Sequence, residues 1–241
     1  GVESVEGHIY RRALSLPHGP ALVELDLADR GPLLGVLAAD PRDRTAAVER
    51  CNRALGSDRD WTQARAALAG DPLIGPLIAA RPDLTVPGTV DGAELAVRAI
   101  VNQQVSLAGA RTVLGRLASD YGEATPFRRE RLFPTPARLA EIDPADLPMP
   151  RARARALVAV CRAAAAGELD LDALRATPGI GDWTSSYFAM RALRDPDAFP
   201  GGDLGIRRAL ARLGNPDPER WRPFRAYAAQ HLWASLSDAP R

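Results

Sequence analysis

The stretch LDALRATPGIGDWTSSYFAMRAL, residues 171–193, constrains the fold more than any other part of the chain. Two runs of helix-forming residues meet at Pro-Gly-Ile-Gly. A helix does not continue through that tetrapeptide, because proline lacks an N–H and glycine resists the helical backbone entropically. The segment must therefore be helix, tight turn, helix. The first N–H groups of the second helix have no partner within it and lie at the positive end of its dipole. With glycines to let another group approach, such a turn can hold a phosphate. A plain helical hairpin would use similar residues. The placement of Pro-Gly-Ile-Gly between two helices, with Trp183 and Thr184 directly after it, favours the phosphate.

The rest of the chain after Asp91 also reads as helical. GAELAVRAIVNQQ and SLAGARTVLGRLASDYG form one helix each, the second capped by Ser106 and stopped by Gly122. TPARLAEID, PRARARALVAVCRAAAAG, DLGIRRALARLG and PERWRPFRAYAAQHLWASL add further helices. Before Asp91 the pattern is mixed. HIYRRALSL and ALVELDL flank the turn signal PHGP, which predicts a β-hairpin within Gly7–Leu27. DPRDRTAAVERCNRALG and DWTQARAALAG are helical, and Pro-rich connectors follow them. The predicted class is α+β: a small mixed α/β domain over residues 1–91, a helical domain with the hairpin over 92–195, and a C-terminal helical part over 196–241.

Composition removes several function classes. Cys51 and Cys161 are too few and too far apart for a disulfide framework or a four-cysteine metal site, and a reducing compartment is the default. His8, His18 and His231 are scattered, which argues against a histidine metal site; His231, in an aromatic helix, reads as a packed residue. No apolar run approaches the ~18 residues of a membrane span. The net charge of +1 says little about nucleic acid, since binding depends on a local basic face. All 31 basic residues are arginine, so no side chain can form a Schiff base.

TPGIGDWTSSYFAMRAL followed by DAFPGGDLGIRRAL resembles the helix-hairpin-helix DNA glycosylase superfamily, and more narrowly the bacterial 3-methyladenine DNA glycosylase II family. The resemblance extends through VEGHIYRRALSL, VPGTVDGAELAVRAI, VRAIVNQQVSLAGARTVLGRL, FPTPARLA and YAAQHLW, and so covers nearly the whole chain. Members of that family have more residues before the first strand, so the N-terminal sheet is expected to be incomplete at its start.

The resemblance implies a base excision repair enzyme that flips an alkylated base, of the 3-methyladenine or 7-methylguanine type, out of duplex DNA and hydrolyses its N-glycosidic bond. Asp203 matches the catalytic aspartate; its place at a helix mouth would equally suit a plain N-cap. Trp183, Tyr187 and Trp233 match an aromatic base pocket, where electron-rich rings would favour a cationic base. Leu204 and Gly205 would form part of its wall. Gln104, in VNQQVS, matches the residue that inserts into the duplex. Gly179, Ile180 and Gly181 match the phosphate-binding hairpin. The backbone carbonyls of Arg175, Thr177 and Ile180 match positions that can hold a monovalent cation. Arg111, Arg207 and Arg208 are candidates for phosphate contacts. Strand-nicking relatives carry a lysine where this chain has Trp183, so the resemblance implies base release alone, with no organic cofactor and no catalytic metal. It also implies a monomer in the cytoplasm, acting on nucleoid DNA without a membrane, either alone or as part of a longer repair polypeptide. A damage-binding module without chemistry, or a glycosylase for a deaminated or mismatched base, are the alternatives.

Overall fold

The computed structural model describes residues 2–28, 33–127 and 130–237. Its elements follow the chain as four strands and then helices: β1 (Glu3–Glu6), β2 (Ile9–Leu16), β3 (Gly19–Asp26), β4 (Leu33–Ala38), α1 (Arg44–Leu55), α2 (Thr62–Leu68), α3 (Gly75–Ala80), α4 (Gly92–Asn102), α5 (Leu107–Tyr121), α6 (Pro136–Ala140), α7 (Arg151–Ala165), α8 (Leu171–Ala176), α9 (Asp182–Arg191), α10 (Leu204–Arg212) and α11 (Arg225–Ser235). The class is α+β.

The chain packs as two units. One comprises residues 1–52 and 93–179, the other 53–92 and 180–241. In the first, an antiparallel sheet runs in the order β1-β2-β3-β4. The expected hairpin is β2–β3, with Ala13 opposite Leu22 and Leu16 opposite Gly19. Alternation along β3 buries Ala21, Val23 and Leu25 on one face, as period-two patterning dictates. β1 and β4 lie outside the expected hairpin. β1 is short and polar, ESVE, and LLGVLA of β4 is apolar without alternation, so neither carries the two-residue period that marks a half-buried strand.

A buried ion network joins the sheet to α4. Arg12 on β2 pairs with Glu94 on α4 and with Glu3 on β1, while Arg98 pairs with the same two carboxylates. Helix starts in this unit are fixed by side chains. Ser106 accepts from the Gly109 N–H at 3.1 Å, Thr135 from Arg138 at 3.2 Å and Asp170 from Ala173 at 2.8 Å, each a donor the helix cannot satisfy itself.

The second unit is helical and gathers most of the large aromatic side chains. Trp221 and Tyr227 are fully buried, and Trp61 stacks on Tyr227 at 5.6 Å. His231 is buried beside Tyr227, ring centroids 4.6 Å apart. It packs as a core residue, and burial pushes its pKa down to about 4.

Three helix boundaries differ from expectation. α3 forms within the segment read as connector; Asp71 organises its start by accepting from the N–H groups of Leu73 and Ile74. α4 stops at Asn102, leaving Gln103 and Gln104 in the following turn. The final helix begins only at Arg225, because a short 3-10 turn at Pro218–Trp221 is followed by Pro223, which cannot donate to a helical ladder.

Candidate active site

Asp203 begins α10. Its Oδ1 accepts from the Ile206 N–H at 3.0 Å, the expected N-cap bond. The same oxygen also accepts from Trp233 Nε1 at 2.8 Å, and Oδ2 accepts from Trp183 Nε1 at 3.2 Å. Three N–H groups from α9, α10 and α11 thus hold one carboxylate. From the sequence the two tryptophans are expected only as stacking surfaces; in the structure they also orient the aspartate.

Gly205 makes this packing possible. A Cβ there would lie 3.0 Å from Trp233 Cδ1 and 3.0 Å from Asp203 Oδ1. The Asp-Leu-Gly run therefore encodes the approach of the indole to the carboxylate. That run is the signal in the sequence, where Gly205 otherwise reads only as part of the pocket wall.

Trp183 and Tyr187 are one turn apart on α9 and stack on each other, centroids 5.5 Å and planes 12° apart. The stacked pair leaves no gap between the two rings for a third plane. Trp233 meets Tyr187 edge-on at 6.4 Å. One more turn along α9 lies Arg191, its Cζ 5.5 Å from the Tyr187 ring centre and 5.4 Å from that of Trp233. Sequence reasoning missed Arg191, since an arginine near a helix end is ordinarily solvated.

Leu204 is 67% exposed on α10 and lines an open concavity with Arg207 and Arg208. The reason is helical phase: Asp203 caps the helix, Ile206 and Ala209 turn inward, and Leu204, Arg207 and Arg208 share the outer face.

The expected DNA-contacting segments lie elsewhere on the chain. Gln104 sits in the turn after α4 with φ +53°, a left-handed backbone that is uncommon for a residue with a side chain. It is exposed, and so are its apolar neighbours Val105 and Leu107, at 41% and 75%. Gln103 Nε2 donates to the Gly179 carbonyl at 3.3 Å, so this turn touches the start of the glycine hairpin. Arg111 is exposed on α5.

In the hairpin, Gly179 adopts φ +93°, which fits glycine and strains other residues. Gly181 does not share this requirement. Its φ is −101° as the N-cap of α9, and a Cβ there would meet nothing within 4 Å. Ile180 lies between them. Thr177 ends α8 in an extended conformation, its Oγ1 donating to the Ala173 carbonyl at 3.0 Å, and Arg175 is in the last turn of α8.

Residues 97–233 match the family model described as "HhH-GPD superfamily base excision DNA repair protein". The chain belongs to this superfamily. Residues 1–91 match the model of the AlkA N-terminal domain. Among curated relatives, "Probable bifunctional transcriptional activator/DNA repair enzyme AlkA" of Mycobacterium tuberculosis is 42% identical over 257 aligned residues, covering 98% of this chain and 52% of that protein. "DNA-3-methyladenine glycosylase 2" of Escherichia coli is 40% identical over 178 residues, 66% of this chain and 63% of that protein. The chain thus spans about half to two thirds of the length of these relatives. The solved 3-methyladenine DNA-glycosylase from Archaeoglobus fulgidus shares the fold, with a TM-score of 0.81 at 20% identity over 98% of this chain and 89% of that one. The superfamily and its narrower AlkA branch are therefore those the sequence resembled.

Proposed function

We propose that the chain is a monofunctional DNA glycosylase that excises alkylated bases from duplex DNA. The observation that carries this reading is the Asp203 carboxylate, fixed by two indole N–H groups and a helix N-terminus beside an aromatic cluster. A carboxylate in that state suits a reaction in which positive charge grows on a sugar. As the C1′–N bond breaks, its electron pair leaves with the base and the deoxyribose becomes oxocarbenium-like. Asp203 stabilises that charge without first having to reorient, and it can accept a proton from the attacking water. Trp183, Tyr187 and Trp233 receive the flipped base on their exposed edges and faces.

Gln104 fills the space the base vacates. Its strained backbone and the exposed Val105 and Leu107 beside it support this role. Gly179, Ile180 and Gly181 hold a DNA phosphate through backbone N–H groups, and the outward Arg207 and Arg208 extend the contact to the backbone. Backbone carbonyls are hard oxygen donors suited to a monovalent cation, and the helical ladder of α8 has ended where Thr177 presents its own. Arg175, Thr177 and Ile180 would hold such an ion, which would neutralise part of a nearby phosphate's charge. The protein acts on nucleoid DNA in the cytoplasm as a monomer, alone or within a longer repair polypeptide, and its chemistry needs no cofactor.

The test is incubation with methylated duplex DNA, with released bases identified and the strand analysed before and after alkali. The reading expects free alkylpurines and strands that break only after alkali, since no lysine is present to form a Schiff base. Strand binding without base release would instead favour a damage-binding module.

A further inference from the structure

The guanidinium of Arg191 has an unusual setting. Arg194, three residues on, pairs with Asp58 at 2.6 Å, and Arg225 pairs with Asp197 at 2.9 Å. Among the described residues Arg191 has no carboxylate within ion-pair distance. It donates instead to neutral acceptors, the Pro87 carbonyl at 2.7 Å and Gln230 Oε1 at 3.1 Å, and the Tyr187 side chain also favours its charged form. Its Nε is buried with no hydrogen-bond partner among the described residues. A desolvated cation without a counter-ion is costly to keep. It is pinned against the Tyr187 and Trp233 rings, the same rings that stack on and bond to the Asp203 site.

We propose that Arg191 sets which bases can leave: its fixed positive charge behind Tyr187 and Trp233 favours the departure of bases that are neutral before the bond breaks over bases that are already cationic. This rests on the glycosylase reading above. In every case the C1′–N pair of electrons goes to the base nitrogen and water oxygen adds to C1′, releasing a proton. A cationic base, such as 7-methylguanine, leaves as a neutral molecule. A neutral base, such as hypoxanthine, leaves with a full negative charge until it takes up a proton. Measured from free protein and DNA, a nearby cation therefore stabilises the second transition state, whose base is anionic, and not the first, whose base is neutral; measured from the bound complex the base gains the same negative charge in both.

The same cation weakens binding of a base that is already cationic. The rings' π electrons already attract Arg191, and its charge repels a second cation stacked on their other face. The cation–π preference for alkylated bases expected from the aromatic residues alone is thus opposed. Burial lowers the guanidinium pKa, but arginine starts so far above neutrality that the group stays charged.

Single-turnover release is measured at subsaturating protein, so that rates refer to free protein and DNA, from duplexes carrying 7-methylguanine or hypoxanthine at one position, for wild type, Arg191→Gln and Arg191→Lys. Arg191→Met replaces the Gln variant if that chain does not fold, because its thioether can still pack on the rings. The expected result is at least a tenfold fall in the hypoxanthine-to-7-methylguanine rate ratio in the uncharged variant. In Arg191→Lys the ratio stays within about threefold of wild type. Loss of packing alone would slow both reactions and leave the ratio unmoved. A folded, uncharged variant with the wild-type ratio overturns the proposal. So does a wild-type protein that releases only the cationic base. A wild-type protein that releases neither base overturns the glycosylase reading, and the proposal with it.

Discussion

Trp233 Nε1 donates to Asp203 Oδ1 at 2.8 Å, so a ring expected to receive a base also aims the carboxylate expected to stabilise the breaking of its bond. The two functions of the pocket share one side chain. A change in the tryptophan should then alter rate as well as affinity.

The Asp203→Asn variant separates charge from shape. Asparagine caps helices as well as aspartate, and its Oδ1 can still accept from Ile206 and Trp233. Its NH2 would face the Trp183 indole donor, a small mismatch. Base release should fall at least ~100-fold while the melting temperature changes by only a few degrees. Single-turnover rates near wild type would remove Asp203 from the chemistry.

Trp233→Phe keeps a ring but deletes one donor to the carboxylate. Release at saturating DNA should slow by about tenfold, the scale of one charge-assisted hydrogen bond, with smaller losses in affinity for an abasic-analogue duplex. Trp183→Phe should act in the same direction more weakly, because its bond is longer, 3.2 Å. Equal kinetics in both variants and wild type would show that the indole N–H groups do not serve the carboxylate.

The two hairpin glycines should behave differently. Gly179→Ala places a side chain at φ +93° and should cost ~1 kcal/mol or more in stability, with weaker binding to damaged and undamaged duplexes alike. Gly181→Ala, at φ −101° with open space around a new methyl, should fold as wild type. Its effect then reports on DNA alone: if a phosphate sits against Gly181, affinity for any duplex falls. Melting curves and affinities at one salt concentration decide both points, and equal destabilisation by the two variants would contradict the turn geometry.

His231 should make the protein acid-sensitive. Its pKa in the fold is about 4, lowered by burial, against an ordinary value near 6.5. Between those values the unfolded chain binds a proton that the folded chain does not. Stability is therefore full above pH ~6.5 and declines as the pH falls towards 4, by up to about 3 kcal/mol. His231→Phe should lose less stability than wild type between pH 7.5 and 4.5, measured by urea midpoints. Parallel pH profiles for the two proteins would show that another group carries the acid sensitivity.

Much of this protein was legible in its sequence because the signals were local. Pro-Gly-Ile-Gly dictates a turn wherever it occurs, and Ser106, Thr135, Asp170 and Asp203 each mark a helix start within three residues of the N–H they satisfy. The β2–β3 hairpin announces itself by alternation around a turn, and the order of these motifs already carries the family. What the tertiary structure decided depends on residues far apart in the chain. Trp183 and Trp233 reach one carboxylate from helices 50 residues apart by number, and no periodicity records a shared acceptor. Leu204 points outward because the cap at Asp203 sets the phase of α10. Gly179 needs its glycine and Gly181 does not, since backbone angles depend on how the turn closes. Arg191 reads as a surface cation, but becomes a buried charge because Pro87, Tyr187, Gln230 and Trp233 converge around it. Short-range hydrogen bonding and patterning are written along the chain; desolvation and the sharing of partners arise only where distant segments meet.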